Sequence, residues 1–159
     1  MKYNRFEELP VWQSAIELAV LIFDLTSRTV FSRYYGLKDQ LERAGVSVSN
    51  NIAEGYERGT TQETLTFLYV SKGSSGEVRS LSHLLERLPA FDSLRSEILD
   101  IRSRATNISQ QLRAWCNSLQ NTDIRGQRYI TEKTKRAAIA KREREEFLRE
   151  LAEMRTRRG

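Results

Sequence analysis

The chain has 159 residues, 39% hydrophobic and 30% charged, with one cysteine, one histidine and two prolines. That length suits one domain with a core of its own and excludes two full-sized ones; a single cysteine excludes an internal disulfide framework. The formal charge of +5 favours anionic partners over cationic ones. Met1-Lys2-Tyr3-Asn4-Arg5 is not followed by a signal-peptide core, and no apolar run approaches the roughly 18 residues of a membrane span. A cytoplasmic chain with no membrane association is expected.

The first predicted helix runs from about Pro10 to Thr29. Proline suits a first helical position, where the missing N–H has no partner to lose. Trp12, Ala15, Ile16, Ala19, Ile22, Phe23 and Thr26 recur at spacings of three and four, and Leu18, Leu21 and Leu25 widen that stripe. The second segment spans Arg33 to Arg58, with Ser32 as its N-cap and a stripe of Leu37, Leu41, Ala44, Val48, Ile52 and Gly55. Gly59 is placed to end it, and Thr60-Thr61-Gln62-Glu63 has the spacing of a capping box that starts the next helix. The third helix reaches about Leu88 on Phe67, Leu68, Ser71, Ser74, Ser75, Val78, Leu81 and Leu85. In the fourth, Phe91, Leu94, Ile98, Ile101, Ala105, Ile108, Leu112, Trp115 and Leu119 alternate strictly between three and four, the seam of a left-handed bundle. Short turns between long helices predict an all-α, up-and-down four-helix bundle over residues 1–121.

Residues 122–159 read as a linker followed by a basic amphipathic helix. Residues 1–121 hold 14 basic and 14 acidic side chains, whereas 122–159 hold 12 and 7, so the whole excess lies in the last quarter. Arg128, Lys133, Lys135, Arg136, Lys141, Arg142 and Arg144 are the candidate phosphate contacts there, acting through counterion release. A plain solvated helical tail is the alternative reading. Phe147, Leu148, Leu151 and Met154 give the segment a thin apolar stripe that would need a partner surface.

Catalytic patterns are missing. His83 and Cys116 have no companions at metal-ligand spacing, and Lys72-Gly73-Ser74 lacks the upstream glycine and strand of a phosphate loop. Glu54 with Glu57 or Glu77 fits surface ion pairing better than acid–base work. A non-enzymatic chain with no metal or cofactor is expected.

The segment Arg43-Ala44-Gly45-Val46-Ser47-Val48-Ser49-Asn50-Asn51-Ile52-Ala53-Glu54-Gly55 is rich in poor helix formers inside a predicted helix. Small side chains there predict close approach of another backbone, and Ser71-Lys72-Gly73-Ser74-Ser75-Gly76 on the third helix is the matching run. Tight intrachain packing accounts for the glycines and alanines. It leaves Arg43, Asn50, Asn51, Glu54 and Arg58 with more hydrogen-bonding capacity than such packing uses.

These residues, with Phe67-Leu68-Tyr69, Gly73-Ser74 and Glu77, the start Phe6-Glu7-Glu8-Leu9-Pro10-Val11-Trp12 and the run Tyr35-Gly36-Leu37, closely resemble the signature of the four-helix-bundle family first noticed in intervening sequences of large-subunit (23S) ribosomal RNA genes. The resemblance covers about residues 5–120. It implies a homopentamer without catalytic activity, in which Arg43, Asn51, Glu54, Gly55, Arg58, Gly73, Ser74 and Glu77 form the family motif and its interface. It also implies kinship with the accessory proteins of diversity-generating retroelements, which bind nucleic acid and a reverse transcriptase. The family commonly has proline where this chain has Ser49, so a kink expected there is absent, and it usually ends soon after the fourth helix. The sequence therefore predicts a homo-oligomeric, nucleic-acid-associated protein, or else a protein–protein adaptor whose C-terminal helix docks on a partner.

Overall fold

The computed structural model describes residues 3–121 together with 139–140, 142–146 and 149. Every regular element among the described residues is helical. The chain divides into two compact units, Met1–Ile124 and Arg125–Gly159. The first holds four long helices: α1 (Pro10–Thr26), α2 (Tyr35–Glu57), α3 (Thr61–Leu85) and α4 (Arg95–Gln120), with 3-10 turns at Phe6–Glu8, Thr29–Arg33 and Pro89–Leu94. In the second, Ile139, Ala140, Arg142 to Glu146 and Arg149 are helical.

Pro10 occupies the first turn of α1 as its sequence predicts. The face that α1 buries differs from the predicted stripe. Val11, Ala15, Leu18, Ala19, Ile22, Leu25 and Thr26 point inward, while Ile16 and Phe23 face solvent. Apolar residues surround this helix so widely that periodicity alone left two faces open, and the neighbouring helices decide between them.

α1 stops at Thr26, because Phe31 in the following 3-10 turn is drawn inside. Its ring meets Phe91 at 4.9 Å between centroids, and Tyr34 meets Phe91 at 5.0 Å. This trio closes one end of the core and shifts two predicted starts. Ser32 lies within the turn instead of capping α2, and Phe91 belongs to a 3-10 turn, so α4 begins at Arg95. α3 starts as predicted. The Thr60 hydroxyl accepts the Glu63 N–H at 3.2 Å and donates to the Glu63 carboxylate at 2.6 Å.

α2 packs on α1 and α3, and α4 packs on α3 and α1. Contacts run in opposing order along each pair. The Ser71 hydroxyl donates to the Val48 carbonyl at 2.8 Å, Ser47 and Ser74 share a hydrogen bond at 2.8 Å, and Gly55 lies against Thr64 and Phe67. Between α3 and α4, the Ser75 hydroxyl donates to the Ala105 carbonyl at 2.6 Å. Arg28 reaches Glu97 at 3.0 Å and Arg104 reaches Glu17 at 3.5 Å, joining α1 to α4. Leu18, Ile22, Leu41, Val48, Ile52, Leu68, Val78, Ile98, Ile101, Ile108 and Leu112 fill the interior, each contributing about 1.5–3 kcal/mol on burial.

α2 and α3 pack closely along their two small-residue runs as expected, with serines and Gly55 making the contacts. A Cβ on Gly45 would lie 2.7 Å from Ile22 Cδ1, so that glycine admits α1. Gly55 does meet α3, but Gly73 and Gly76 have nothing within 4 Å of a Cβ position. Serines make the α3 contacts instead, through hydroxyls that bond the neighbouring backbone. Ser49 is buried and donates to the Val46 carbonyl at 3.1 Å, within an uninterrupted α2.

Candidate interaction face on the second helix

With Leu41, Ala44, Val48, Ile52 and Gly55 turned inward, helical geometry places Arg43, Asn50 and Glu54 on the outer side of α2. The Arg43 side chain is 81% exposed, held among the described residues only by Asp39 at 3.7 Å. Asn51 donates to the Ser47 carbonyl at 2.7 Å and to the Ser47 hydroxyl at 3.0 Å, which in turn reaches Ser74. Ser74 also donates to the Val70 carbonyl at 3.1 Å. The polar motif residues therefore form a short network across α2 and α3. Lower down, Glu54 pairs with Arg58, whose guanidinium lies 4.6 Å over the Phe67 ring.

Shallow grooves flank α2. One, of about 460 Å³, lies between α1 and α2 and is lined by Phe23, Glu42, Arg43, Val46, Asn50 and Asn51 among others. The second lies toward α3 and is lined by Gln40, Arg43, Ala44, Ser47 and Glu77. Arg43 and Ser47 border both, and Glu77 makes no ion pair among the described residues. Beside the first groove Ile16, Val20 (62% exposed) and Phe23 (47% exposed) form an apolar stripe on α1. Sequence periodicity assigned Ile16 and Phe23 to the core and passed over Val20. The signal was the breadth of apolar positions, wider than one buried face needs.

The structure thus brings together Arg43, Asn51, Ser74 and Glu77 along α2 and its border with α3, and sets Glu54, Gly55 and Arg58 at the end of α2. Gly73 is exposed on α3. Of the basic candidates in the C-terminal unit, Arg142 and Arg144 are exposed on helical backbone among Glu143, Glu145 and Glu146. Arg128, Lys133, Lys135, Arg136 and Lys141 lie outside the described residues, as do Phe147, Leu148, Leu151 and Met154.

The remaining reactive groups have structural surroundings. His83 Nδ1 is 3.1 Å from Arg102 and 3.4 Å from Glu86, in an ion-pair cluster that ties α3 to α4. Burial pushes the Cys116 thiol above its ordinary pKa, against a smaller opposing effect of Lys72. No group of His, Cys, Asp and Glu among the described residues is arranged to hold a metal ion. No helix among them is long and apolar enough to cross a membrane. What the face offers is recognition chemistry: an exposed guanidinium, side-chain amides and a free carboxylate beside apolar surface.

The family model described as 23S rRNA-intervening sequence protein matches residues 7–114 of this chain. Among solved structures, the chain is similar to a protein of unknown function from the S23 ribosomal protein family of Bacteroides thetaiotaomicron. The two share 21% identity with a TM-score of 0.60, over 67% of this chain and 97% of that one. No curated protein matches. The match to the family model spans α1, α2, α3 and most of α4 and leaves the C-terminal unit uncovered.

Proposed function

The chain belongs to the 23S rRNA-intervening sequence protein family, and from that premise we propose that it is a non-enzymatic, self-associating scaffold that holds nucleic acid on a basic C-terminal arm. The observation that carries this reading is the segregation of charge. A body of 14 basic and 14 acidic side chains is followed by 38 residues bearing the entire +5 excess. Opposing contact order along all four helix pairs supports an up-and-down bundle as the body. The apolar stripe of Ile16, Val20 and Phe23 supports self-association, in which the outer face of α2 meets a second copy and the copies close a ring, a pentamer by family resemblance.

Assembly multiplies the arm. Several weak phosphate-binding segments on one particle act at high effective concentration, so modest contacts add up to stable association. The family's description names 23S rRNA, which makes structured RNA the first ligand to offer. A reverse transcriptase, the partner of the resembling retroelement accessory proteins, is the protein to offer beside it. Such a particle works in the cytoplasm without a cofactor.

Glu143, Glu145 and Glu146, exposed around Arg142 and Arg144, favour a second reading. Acids interleaved with bases weaken phosphate binding and suit an arm that folds against a protein partner. A gel-shift titration with structured RNA, comparing the full chain with residues 1–121, separates the two. Residues 1–121 enclose a core of their own, so the truncated chain is expected to fold. Salt-sensitive binding that disappears on truncation is the expected result. Binding unchanged by truncation removes the arm's role, and no binding by either form favours the adaptor.

A further inference from the structure

The two long ends of the bundle differ in charge although the body is neutral. At one end the Tyr56 hydroxyl donates to the Tyr3 carbonyl at 2.8 Å, which places the N-terminal segment beside the α2–α3 connection. That end collects Glu7, Glu8, Glu54, Glu57 and Glu63 against Arg5 and Arg58. At the opposite end the Phe31–Tyr34–Phe91 trio clamps the two 3-10 turns together. Arg33 ends one of those turns, while Arg87 precedes and Arg95 follows the other.

The acids at this second end are largely engaged. Arg28 bridges Asp24 at 3.5 Å and Glu97 at 3.0 Å. Glu86 is held by Arg102 and His83, and Glu42 by Lys38 at 3.7 Å and the Thr26 hydroxyl at 2.6 Å. Arg33 and Arg95 have no carboxylate partner among the described residues, and Arg87 donates only to the His83 carbonyl at 2.7 Å. Asp92 is the one acid here without a cation among the described residues. Two residues after Arg33 comes Tyr35, 73% exposed and the most exposed large hydrophobic side chain among the described residues. Arg33, Tyr35, Arg87 and Arg95 are all exposed on or beside the two turns that the aromatic trio joins. Guanidiniums without a carboxylate partner together with an open aromatic ring are the groups that hold single strands: cations follow the phosphates and the ring stacks on a base. In a duplex the bases already stack on one another.

We propose that this end of the bundle is a second contact for single-stranded nucleic acid, in which Arg33, Arg87 and Arg95 take backbone phosphates and Tyr35 stacks on an unpaired base. The proposal rests on the reading of the chain as nucleic-acid-associated, and adds a contact that the C-terminal arm does not supply.

The test is fluorescence anisotropy of the full chain with labelled oligouridylate, oligothymidylate and duplex DNA over a salt series, with circular dichroism as a check on folding. All four substituted side chains are exposed, so the variants are expected to fold. Removing two phosphate contacts in Arg33→Gln/Arg95→Gln should lower the log–log salt slope for single strands by about 1.4, at about 0.7 per phosphate. Tyr35→Ala should weaken single-strand binding roughly tenfold while leaving the slope and the duplex affinity unchanged. Asp92→Asn should tighten binding. These effects on either oligonucleotide uphold the proposal, and a larger effect on oligouridylate assigns the site to RNA. Variants that bind like the parent, while neutralising the arm still abolishes binding, overturn this contact and leave the arm's role standing. No binding by the parent chain overturns both, whereas selective capture of the Tyr35 end by an acidic protein overturns this contact alone.

Discussion

Gly55 and Gly73 are both helical glycines in the motif, and the structure gives them opposite meanings. A Cβ on Gly55 would stand 3.0 Å from the Phe67 Cβ and 3.2 Å from the Thr64 carbonyl oxygen, neither of which can swing aside. Gly55→Ala is therefore expected to destabilise the bundle by about 1–3 kcal/mol, as overpacking does. Gly73 has open space around it, so Gly73→Ala should stabilise the helix by up to ~1 kcal/mol. Urea melts of the two variants check the pair; a Gly73→Ala protein that melts earlier would contradict this account of α3. The sequence marked both positions as unusual for a helix. It could not say which was steric, because that depends on whether a neighbouring backbone lies opposite, and two glycine runs look alike until the helices are packed. Serine told still less in advance: only the packed structure reveals that Ser71 and Ser75 bond the backbones of α2 and α4.

Among the helices, α4 was the most legible and α1 the least. Ile98, Ile101, Ala105, Ile108 and Leu112 leave one narrow seam among polar residues, so their burial follows from spacing alone. α1 carries apolar residues on most of its circumference, and its true inner face emerged only once α2 and α4 had covered it. The ends of helices were harder again, since Phe31 and Phe91 end in 3-10 turns for a tertiary reason, mutual packing across the chain. The uncovered part of α1 has its own consequence. Replacing Val20 and Phe23 with serine removes apolar surface from solvent in the single chain, and should leave thermal stability within about 0.5 kcal/mol of the parent. If the stripe is covered by a second copy, the same change lowers the assembly state, read by native mass spectrometry. An unchanged assembly state would move the interface away from α1.

For the whole molecule, the helices could be read from sequence because their pattern is local and repetitive, and the family motif lies on α2 and α3, within the residues that the family model spans. The candidate face could be named but not arranged, since Arg43, Ser74 and Glu77 come together only through the pairing of α2 with α3. The exposed Tyr35 end escaped sequence reading altogether, because its cations are scattered among Arg33, Arg87 and Arg95 in an electrically neutral body. The central claim is that the particle is at once assembled and loaded with nucleic acid. Sedimentation velocity of the full chain with labelled structured RNA, at low and at high salt, tests both parts together. RNA should move with a multimer at low salt, and its release at high salt should leave the multimer intact. A monomer, or a multimer that leaves RNA behind at low salt, would contradict it.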